Sequence, residues 1–325
     1  MPGTDAMKLR KIGSFFVGGR TVTLDGLPVE QRRLAIGAAP RPVDPNGDHV
    51  TGQMYVQEFR LAEPRCPYPV LFWHGGGMTG VNWETTPDGR PGWLTRFLEA
   101  GFDVLVSDAV ERGRSSWSMY PQIYEGAPLF RTKNEAWDMF RMGPPGSYAT
   151  DAAARRPWPE VQFPPEAFDA FAAQWVPRWV GHEAMTEAAY GALLARVGPC
   201  LVVGHSQGGG FALQMTQRYP DLIRGVVALE PSGAPDTAGI SDALPPHLVL
   251  WGDHIADHPV WTRYRGAVDA YVSALAAQGV PARILDMPQE GMAGNTHFLM
   301  MDRNSDALAG RVIDWLAAAA EAAAR

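Results

Sequence analysis

Two kinds of hydrophobic pattern alternate along this chain of 325 residues. Short continuous apolar runs are typical of strands covered on both faces, and they stand at 69–73, 102–107, 201–203, 225–230, 246–251 and 282–286. Longer segments with helical spacing separate most of them, at 93–100, 183–197, 211–219, 261–278 and 306–324. This alternation predicts an α/β fold, with a mostly parallel, doubly wound sheet and right-handed crossovers.

Two regions depart from the alternation. Residues 13–60 alternate apolar and polar positions in short runs punctuated by Gly and Pro, which predicts an antiparallel lead-in to the sheet. Between 114 and 182 the periodicity weakens, and aromatic residues and prolines become frequent. A segment this long between two sheet strands is uncommon as a plain loop. We therefore predict a core domain of residues 1–113 and 183–325, with an inserted cap over 114–182.

The sequence Gly204-His205-Ser206-Gln207-Gly208 stands where a predicted strand meets a predicted helix. In that context Gly-x-Ser-x-Gly is a nucleophile elbow, a strained turn that raises the serine hydroxyl above the edge of the sheet. Glycine is expected at both flanking positions because side chains there would collide. Ser206 is therefore the predicted nucleophile.

A serine hydroxyl needs a base within hydrogen-bond reach and a third group that orients the base. Four histidines follow Ser206 in the chain, but only His297 lies beyond the last predicted strand. It stands in a Gly-rich loop at the carboxyl edge of the sheet, where ligands bind in α/β folds. We predict His297 as the base.

Two positions are open for the acid. Glu230 ends the strand that follows the elbow helix, and an ionised side chain at the end of an apolar strand needs a partner. Asp253 and Asp257 follow the next strand, although an acid after Trp-Gly often only braces a turn. The residues alone leave both positions open.

Backbone N–H groups aimed at the developing negative charge are the remaining requirement. One is expected from Gln207, directly after the nucleophile, and a second from Gly76 or Gly77 in the Gly-rich loop after the first buried strand. Two further histidines are expected to brace these turns, His74 and His205.

The motif His74-Gly-Gly-Gly, the elbow around Ser206 and the late His297 together resemble the α/β-hydrolase superfamily, over essentially the whole chain. The elbow combined with the segments 228–233 and 251–254 is similar to a narrower group of bacterial carboxylesterases. That group uses a Ser-His-Glu triad with the acid after the sixth strand.

This narrower resemblance implies Glu230 rather than Asp253 as the acid. The best-known member carries two adjacent cysteines in its oxyanion loop, where this sequence has Gly76 and Gly77. Any role of that cysteine pair is therefore not carried over to this chain.

The composition of residues 114–182 bears on the substrate. An aromatic-rich cap over a serine site favours an uncharged, apolar or aromatic ester, or a lactone. The candidate pocket residues are Trp117, Tyr120, Trp137 and Trp158, although many aromatic residues there must form the core of the cap itself. The acidic balance of the chain disfavours an anionic substrate, while local cations are available at Arg112, Arg114 and Arg141.

These residues predict a serine carboxylesterase that works through an acyl-enzyme, with a small-molecule ester as substrate and without cofactor or metal. The same triad would serve a C–C bond hydrolase or an amidase. The same scaffold would also serve a non-catalytic protein that binds a small molecule. Dehalogenases and most epoxide hydrolases of this fold carry Asp at the elbow, so the serine argues against both.

Charge and composition restrict the partners. The net charge is −7, and the longest basic clusters are short, which disfavours nucleic acid. The sequence contains no stretch of 18 apolar residues, so it predicts no membrane-spanning helix. The N-terminus lacks a secretory pattern, so the cytoplasm is expected, or the periplasm or exterior if a leader has been removed. The apolar cap and the edge strands near the N-terminus would allow a homodimer.

Two cysteines, Cys66 and Cys200, stand beside predicted strands. We expect two buried free thiols rather than a bridge. No metal-binding spacing such as CxxC or HExxH occurs in the sequence.

Overall fold

The computed structural model describes residues 7–124 and 126–325. Its strands are β1 (Leu9–Leu24), β2 (Glu30–Arg32), β3 (Arg41–Val43), β4 (Gly47–Leu61), β5 (Val70–Trp73), β6 (Val104–Asp108), β7 (Cys200–His205), β8 (Ile223–Leu229), β9 (His247–Trp251) and β10 (Ala282–Asp286). Its α-helices are α1 (Trp93–Glu99), α2 (Lys133–Met139), α3 (Phe168–Ala172), α4 (Glu183–Val197), α5 (Gln207–Arg218), α6 (Pro259–Ala277) and α7 (Ser305–Ala323).

Eight strands form one sheet in the order β1, β4, β6, β5, β7, β8, β9, β10. All neighbours from β6 to β10 pair in parallel, whereas β1 pairs antiparallel with β4, and β4 pairs antiparallel with β6. The predicted mostly parallel α/β sheet is therefore confirmed. The antiparallel lead-in is present as the long hairpin of β1 and β4.

The central strands bury both faces, which explains their continuous apolar runs. In β8, Val227 and Leu229 belong to one apolar cluster with residues of α1 and α7, whereas Val226 and Ala228 belong to a second cluster with residues of α4, α5 and α6. Alternate side chains of a strand point to opposite faces, so helices on both sides are needed to cover them. Each fully buried aliphatic side chain contributes roughly 1.5–3 kcal/mol to folding.

Residues 114–182 contain little regular structure beyond α2 and α3. Trp137, Phe163 and Phe168 in this segment are fully buried in the same cluster as Phe72 of the sheet. Much of the segment therefore packs against the main core, whereas Ile123, Tyr124 and Trp179 form a smaller cluster with Leu24 of β1.

The two cysteines are free, as expected. Cys200 lies fully buried in β7, but Cys66 is only half-buried. Among the described residues, no helix combines the length and the apolar character needed to cross a membrane.

Candidate active site

Ser206 lies in a strained turn between β7 and α5. Its backbone has φ 54° and ψ −117°, a conformation that residues other than glycine rarely adopt. A Cβ on Gly204 would lie 2.4 Å from the carbonyl oxygen of Gly208, and one on Gly208 would lie 2.5 Å from those of Trp73 and His74. Only glycine fits at either flanking position, so the elbow depends on both.

Backbone hydrogen bonds fix this turn against the neighbouring strand. The Ser206 N–H donates to the carbonyl oxygen of Leu229 at 2.9 Å. The Ser206 carbonyl oxygen accepts from the N–H groups of Gly210 and Ser232, each at 3.0 Å. Both strands β7 and β8 thus determine where the hydroxyl stands.

His297 and Glu230 are in direct contact beside this turn. Nδ1 of His297 donates to Oε2 of Glu230 at 2.7 Å, and both side chains are almost completely buried, at 1 % and 0 % exposure. This bond holds the proton on Nδ1 and leaves Nε2 as an acceptor, which is the tautomer a general base needs.

Glu230 is held as tightly as the histidine it contacts. It has a positive φ of 45°, and its Oε1 accepts from the Gly252 N–H at 2.6 Å. A Cβ on Gly252 would lie 2.8 Å from the same oxygen. Glycine at the end of β9 therefore allows the carboxylate to reach a backbone donor.

Arg141, from the segment 114–182, is the second donor to this carboxylate. Its Nη2 donates to Oε1 of Glu230 at 2.5 Å, and its Nε donates to the carbonyl oxygen of Asp253 at 2.6 Å. Sequence reasoning named Arg141 only as a local cation. The two residues are 89 positions apart in the chain, so no local sequence motif predicts their contact.

Burial lowers the pKa of His297 well below its ordinary value, and the charges of Arg141 and Arg131 lower it further. The ring is therefore neutral at neutral pH and able to accept a proton. The Ser206 hydroxyl makes no hydrogen bond to His297 within the described part of the chain, although both line one cavity. Catalytic hydrogen bonds of this kind often tighten only when substrate is bound.

The loop that carries His297 is fixed by a buried carboxylate. Asp302 accepts from the backbone N–H and the hydroxyl of Thr296, at 2.9 and 2.8 Å, and from Nδ2 of Asn295 at 2.8 Å. The His297 N–H donates to the carbonyl oxygen of Phe140 at 3.2 Å. The position of His297 is thus set from both sides.

The other two acidic candidates are engaged elsewhere. Asp253 accepts from the N–H groups of His254 and Gly294, at 2.7 and 2.9 Å, and so braces the loop. Asp257 is exposed and contacts the His254 ring at 2.8 Å. The structure brings neither of them to His297.

Two of the candidate oxyanion donors lie beside Ser206. Gly76 and Gln207 line the same cavity as Ser206, and within residues 7–124 and 126–325 neither of their N–H groups has a hydrogen-bond partner. A Cβ on Gly75 would lie 3.1 Å from Cβ of Ser206, so the loop passes close to the nucleophile. Gly77 has a φ of 73° and does not line the cavity.

Two histidines brace these turns. His74 accepts the Ala109 N–H on Nε2 at 2.8 Å and donates from Nδ1 to the carbonyl oxygen of Gly75 at 2.8 Å. Burial lowers its pKa to about 4, so it stays neutral in this role. His205 donates from Nε2 to the carbonyl oxygen of His297 at 2.8 Å, which ties the elbow to the loop of the base.

The cavity over Ser206 measures about 590 Å³ and is lined differently from the prediction. None of Trp117, Tyr120, Trp137 and Trp158 lines it. The first two pack with Trp179, the third is buried in the main core, and the fourth stacks on His254. Its walls include Arg131, Phe140, Arg178, Gln214, Trp261 and Tyr264. These residues come from segments far apart in the chain, so the aromatic content of residues 114–182 could not predict them.

One group of side chains has the spacing of a metal site within the described residues. The ligand atoms of Glu160, Asp253 and His254 lie within 4.8 Å of one another. Both ring nitrogens of His254 already contact carboxylates, those of Glu160 and Asp257, at 2.8 Å. The group therefore forms a hydrogen-bonded surface cluster.

Comparison with known proteins agrees with this architecture. A sequence model of the alpha/beta hydrolase fold matches residues 68–251. The chain is 31 % identical to a protein whose structure was solved as a novel bacterial esterase, with a TM-score of 0.84 over 98 % of this chain and 100 % of that one. It is also 29 % identical over 323 residues to the probable secreted lipase phiG of Fungal sp. (strain ATCC 74256), across 83 % of this chain and 87 % of that protein.

The family match spans more than half of the 325 residues, and its end at Trp251 coincides with the end of β9. The segment that it covers contains the elbow and the strand that leads to Glu230. The chain therefore belongs to the α/β-hydrolase fold family.

Proposed function

We propose that this protein is a serine carboxylesterase that hydrolyses its substrate through an acyl-enzyme. The observation that carries the proposal is the 2.7 Å hydrogen bond between His297 and Glu230 beside a strained, cavity-lining Ser206. The names of the two relatives, an esterase and a lipase, support ester bonds as the target.

In the proposed first half-reaction, Ser206 Oγ attacks the ester carbonyl carbon while Nε2 of His297 takes the hydroxyl proton. The carbonyl oxygen becomes an oxyanion, which the N–H groups of Gln207 and Gly76 stabilise. Glu230 stabilises the imidazolium that forms. His297 then gives the proton to the departing alcohol, which leaves the acyl group on Ser206.

In the second half-reaction, water takes the place of the serine hydroxyl. His297 removes a proton from the water as its oxygen attacks the acyl carbon, and it returns that proton to Ser206 Oγ when the acid leaves. The sum is one ester and one water converted into one acid and one alcohol. Each group named in these steps belongs to the protein, the substrate or water.

The first test is labelling with a fluorophosphonate, read by mass spectrometry. Wild-type protein should be modified at Ser206, and Glu230→Gln should be labelled more slowly. Asp257→Asn is the matched control, because this exposed carboxylate also contacts a histidine but lies away from His297. Slowing in Asp253→Asn rather than in Glu230→Gln would assign the acid to Asp253.

Turnover gives an independent test. Ser206→Ala should lower kcat on any ester substrate by about 10⁴-fold or more, because the whole triad depends on the nucleophile. An unlabelled Ser206, combined with tight binding of a small ligand, would instead favour the non-catalytic binding protein.

A further inference from the structure

The cavity over Ser206 has a cationic interior in an otherwise acidic protein. Three arginines line it, Arg131, Arg178 and Arg218, the last of which is exposed. The acidic residues that line it are Glu183 and Asp236, and both are exposed. The cavity that a substrate would enter therefore differs in charge from the chain as a whole, which is negatively charged.

Arg178 is placed against the candidate oxyanion loop. Its Nη1 lies 3.0 Å from the position that a Cβ on Gly76 would occupy, and Oε1 of Gln207 lies equally close to that position. The guanidinium therefore lies beside Gly76, whose N–H group is a candidate donor to the oxyanion.

The backbone around Arg178 is tied to the same loop. The Val176 N–H donates to the carbonyl oxygen of Gly77 at 2.9 Å. Arg178 and Leu129 exchange two backbone hydrogen bonds, at 3.0 and 2.7 Å. These bonds fix the backbone from which the Arg178 side chain reaches the cavity.

Arg178 lacks the carboxylate partner that the other arginines of the cavity have. Arg131 contacts Glu135, and Arg218 contacts Glu187, each at 2.6 Å. Within residues 7–124 and 126–325, Arg178 makes no ion pair, and its Nε is buried without a hydrogen-bond acceptor. A buried donor without an acceptor is unfavourable, so a bound acceptor would be favoured here.

The positive charges also act on one another. Burial lowers the pKa of Arg131, an effect that Glu135 opposes and Arg178 reinforces. Burial likewise lowers the pKa of Arg112 to about 10, where Glu111 opposes and Arg178 again reinforces. Like charges held this close are stabilised when an anion lies between them.

We propose that the ester hydrolysed at Ser206 carries a carboxylate, and that Arg178 binds this carboxylate with Arg131 adding to the attraction. The inference rests on the proposed esterase function. A guanidinium matches a carboxylate through two parallel N–H donors, and its closeness to Gly76 limits the carboxylate to a few bonds from the ester carbonyl. Monoesters of short dicarboxylic acids fit this description, and their hydrolysis gives a dicarboxylate and an alcohol.

The test compares monoethyl glutarate with ethyl glutaramate, in which an amide replaces the carboxylate, by ethanol release. Wild-type kcat/KM should favour the carboxylate by about tenfold or more, mainly through KM, because an ion-paired hydrogen bond contributes that much. Arg178→Gln should bring the ratio close to one, and Arg178→Lys should retain part of it. Arg303→Gln, which removes an exposed arginine that is paired with Glu166 and does not line the cavity, should keep the wild-type ratio.

A second measurement uses wild-type protein alone. Glutarate should slow fluorophosphonate labelling of Ser206 at lower concentration than glutaramate does. Equal turnover of the two esters, or equal protection by the two acids, would overturn the carboxylate site while leaving the esterase in place. Absence of labelling at Ser206 would overturn the esterase and the carboxylate site together.

Discussion

At the scale of single residues, the site depends on a buried charge that the triad itself does not include. Arg141 donates to Glu230, which in turn accepts from His297. All three side chains are almost fully buried, so their charges act through a medium that screens poorly. The charge of Arg141 therefore adds to burial in lowering the pKa of His297, the proposed base.

Removing this charge should move the pH dependence of the reaction. In the proposed mechanism His297 must be neutral to act as base, so kcat/KM should rise with pH through its pKa and be lost below it. Burial and the charges of Arg141 and Arg131 lower that pKa. In Arg141→Gln the pKa should rise, and the acidic limb of kcat/KM should shift to higher pH.

The comparison for this prediction is Arg303→Gln, which removes an exposed arginine paired with Glu166. Its pH profile should match that of the wild type, because solvent screens exposed charges. An acidic limb that stays in place in Arg141→Gln would mean that the arginine only packs against Glu230.

At the scale of the elements, the ends of adjacent strands bring the site together. β7 leads to Ser206, β8 leads to Glu230, and β9 leads to Gly252, which meets both Glu230 and the loop of His297. Parallel strands end at the same edge of a sheet, so residues far apart in the chain become neighbours there. At this edge the ends of the strands lie so close together that Gly252 has no room for a side chain.

Gly252→Ala should therefore damage both stability and activity. A Cβ there would lie 2.6 Å from the carbonyl oxygen of Asn295 and 2.8 Å from that of Thr296 and from Oε1 of Glu230. Relief of these contacts would push Glu230 and the loop of His297 apart. Urea unfolding should give a loss of roughly 1–3 kcal/mol, with a larger fractional loss of kcat.

Gly266→Ala provides the matched glycine substitution in a different element. Gly266 is an exposed position inside α6, and a Cβ there would meet nothing within 4 Å. Alanine should stabilise the protein by about 0.5–1 kcal/mol, because it favours the helix more than glycine does. Equal effects of the two substitutions would contradict the crowding inferred at Gly252.

At the scale of the whole molecule, the central strands of the sheet are covered on both faces by helices and by the segment 114–182. Cys200 lies in β7 at the centre of this arrangement and is fully buried. Burial raises the pKa of its thiol to about 12. Burial also raises the pKa of the half-buried Cys66, which lies outside the strands.

Thiol labelling should therefore report global unfolding. With a disulfide reagent in native buffer, Cys66 should react slowly and Cys200 only when the sheet opens, because the thiolate is the reactive form and must be accessible. Both should react at once in denaturant. Rapid reaction of Cys200 in native buffer, located by peptide mass spectrometry, would contradict the burial of β7.

The sequence by itself determined the α/β class, most of the strand and helix positions and the nucleophile elbow. These features are local: apolar runs, helical spacing and a glycine pattern around Ser206 each act over a few neighbouring residues. The antiparallel lead-in and the two free cysteines were also readable from the chain. Glu230 was readable as one of two options, because its role depends on what lies beside it.

Only the tertiary structure decided which side chains meet. The Arg141 to Glu230 contact spans 89 positions and the His297 to Glu230 contact spans 67, and no pattern within a segment encodes such distances. Trp117, Tyr120, Trp137 and Trp158 were expected at the cavity, but they pack in two apolar clusters and against His254 instead. Which residues line the cavity depends on how distant segments pack together, so Arg131 and Arg178 stand there beside Phe140, Trp261 and Tyr264.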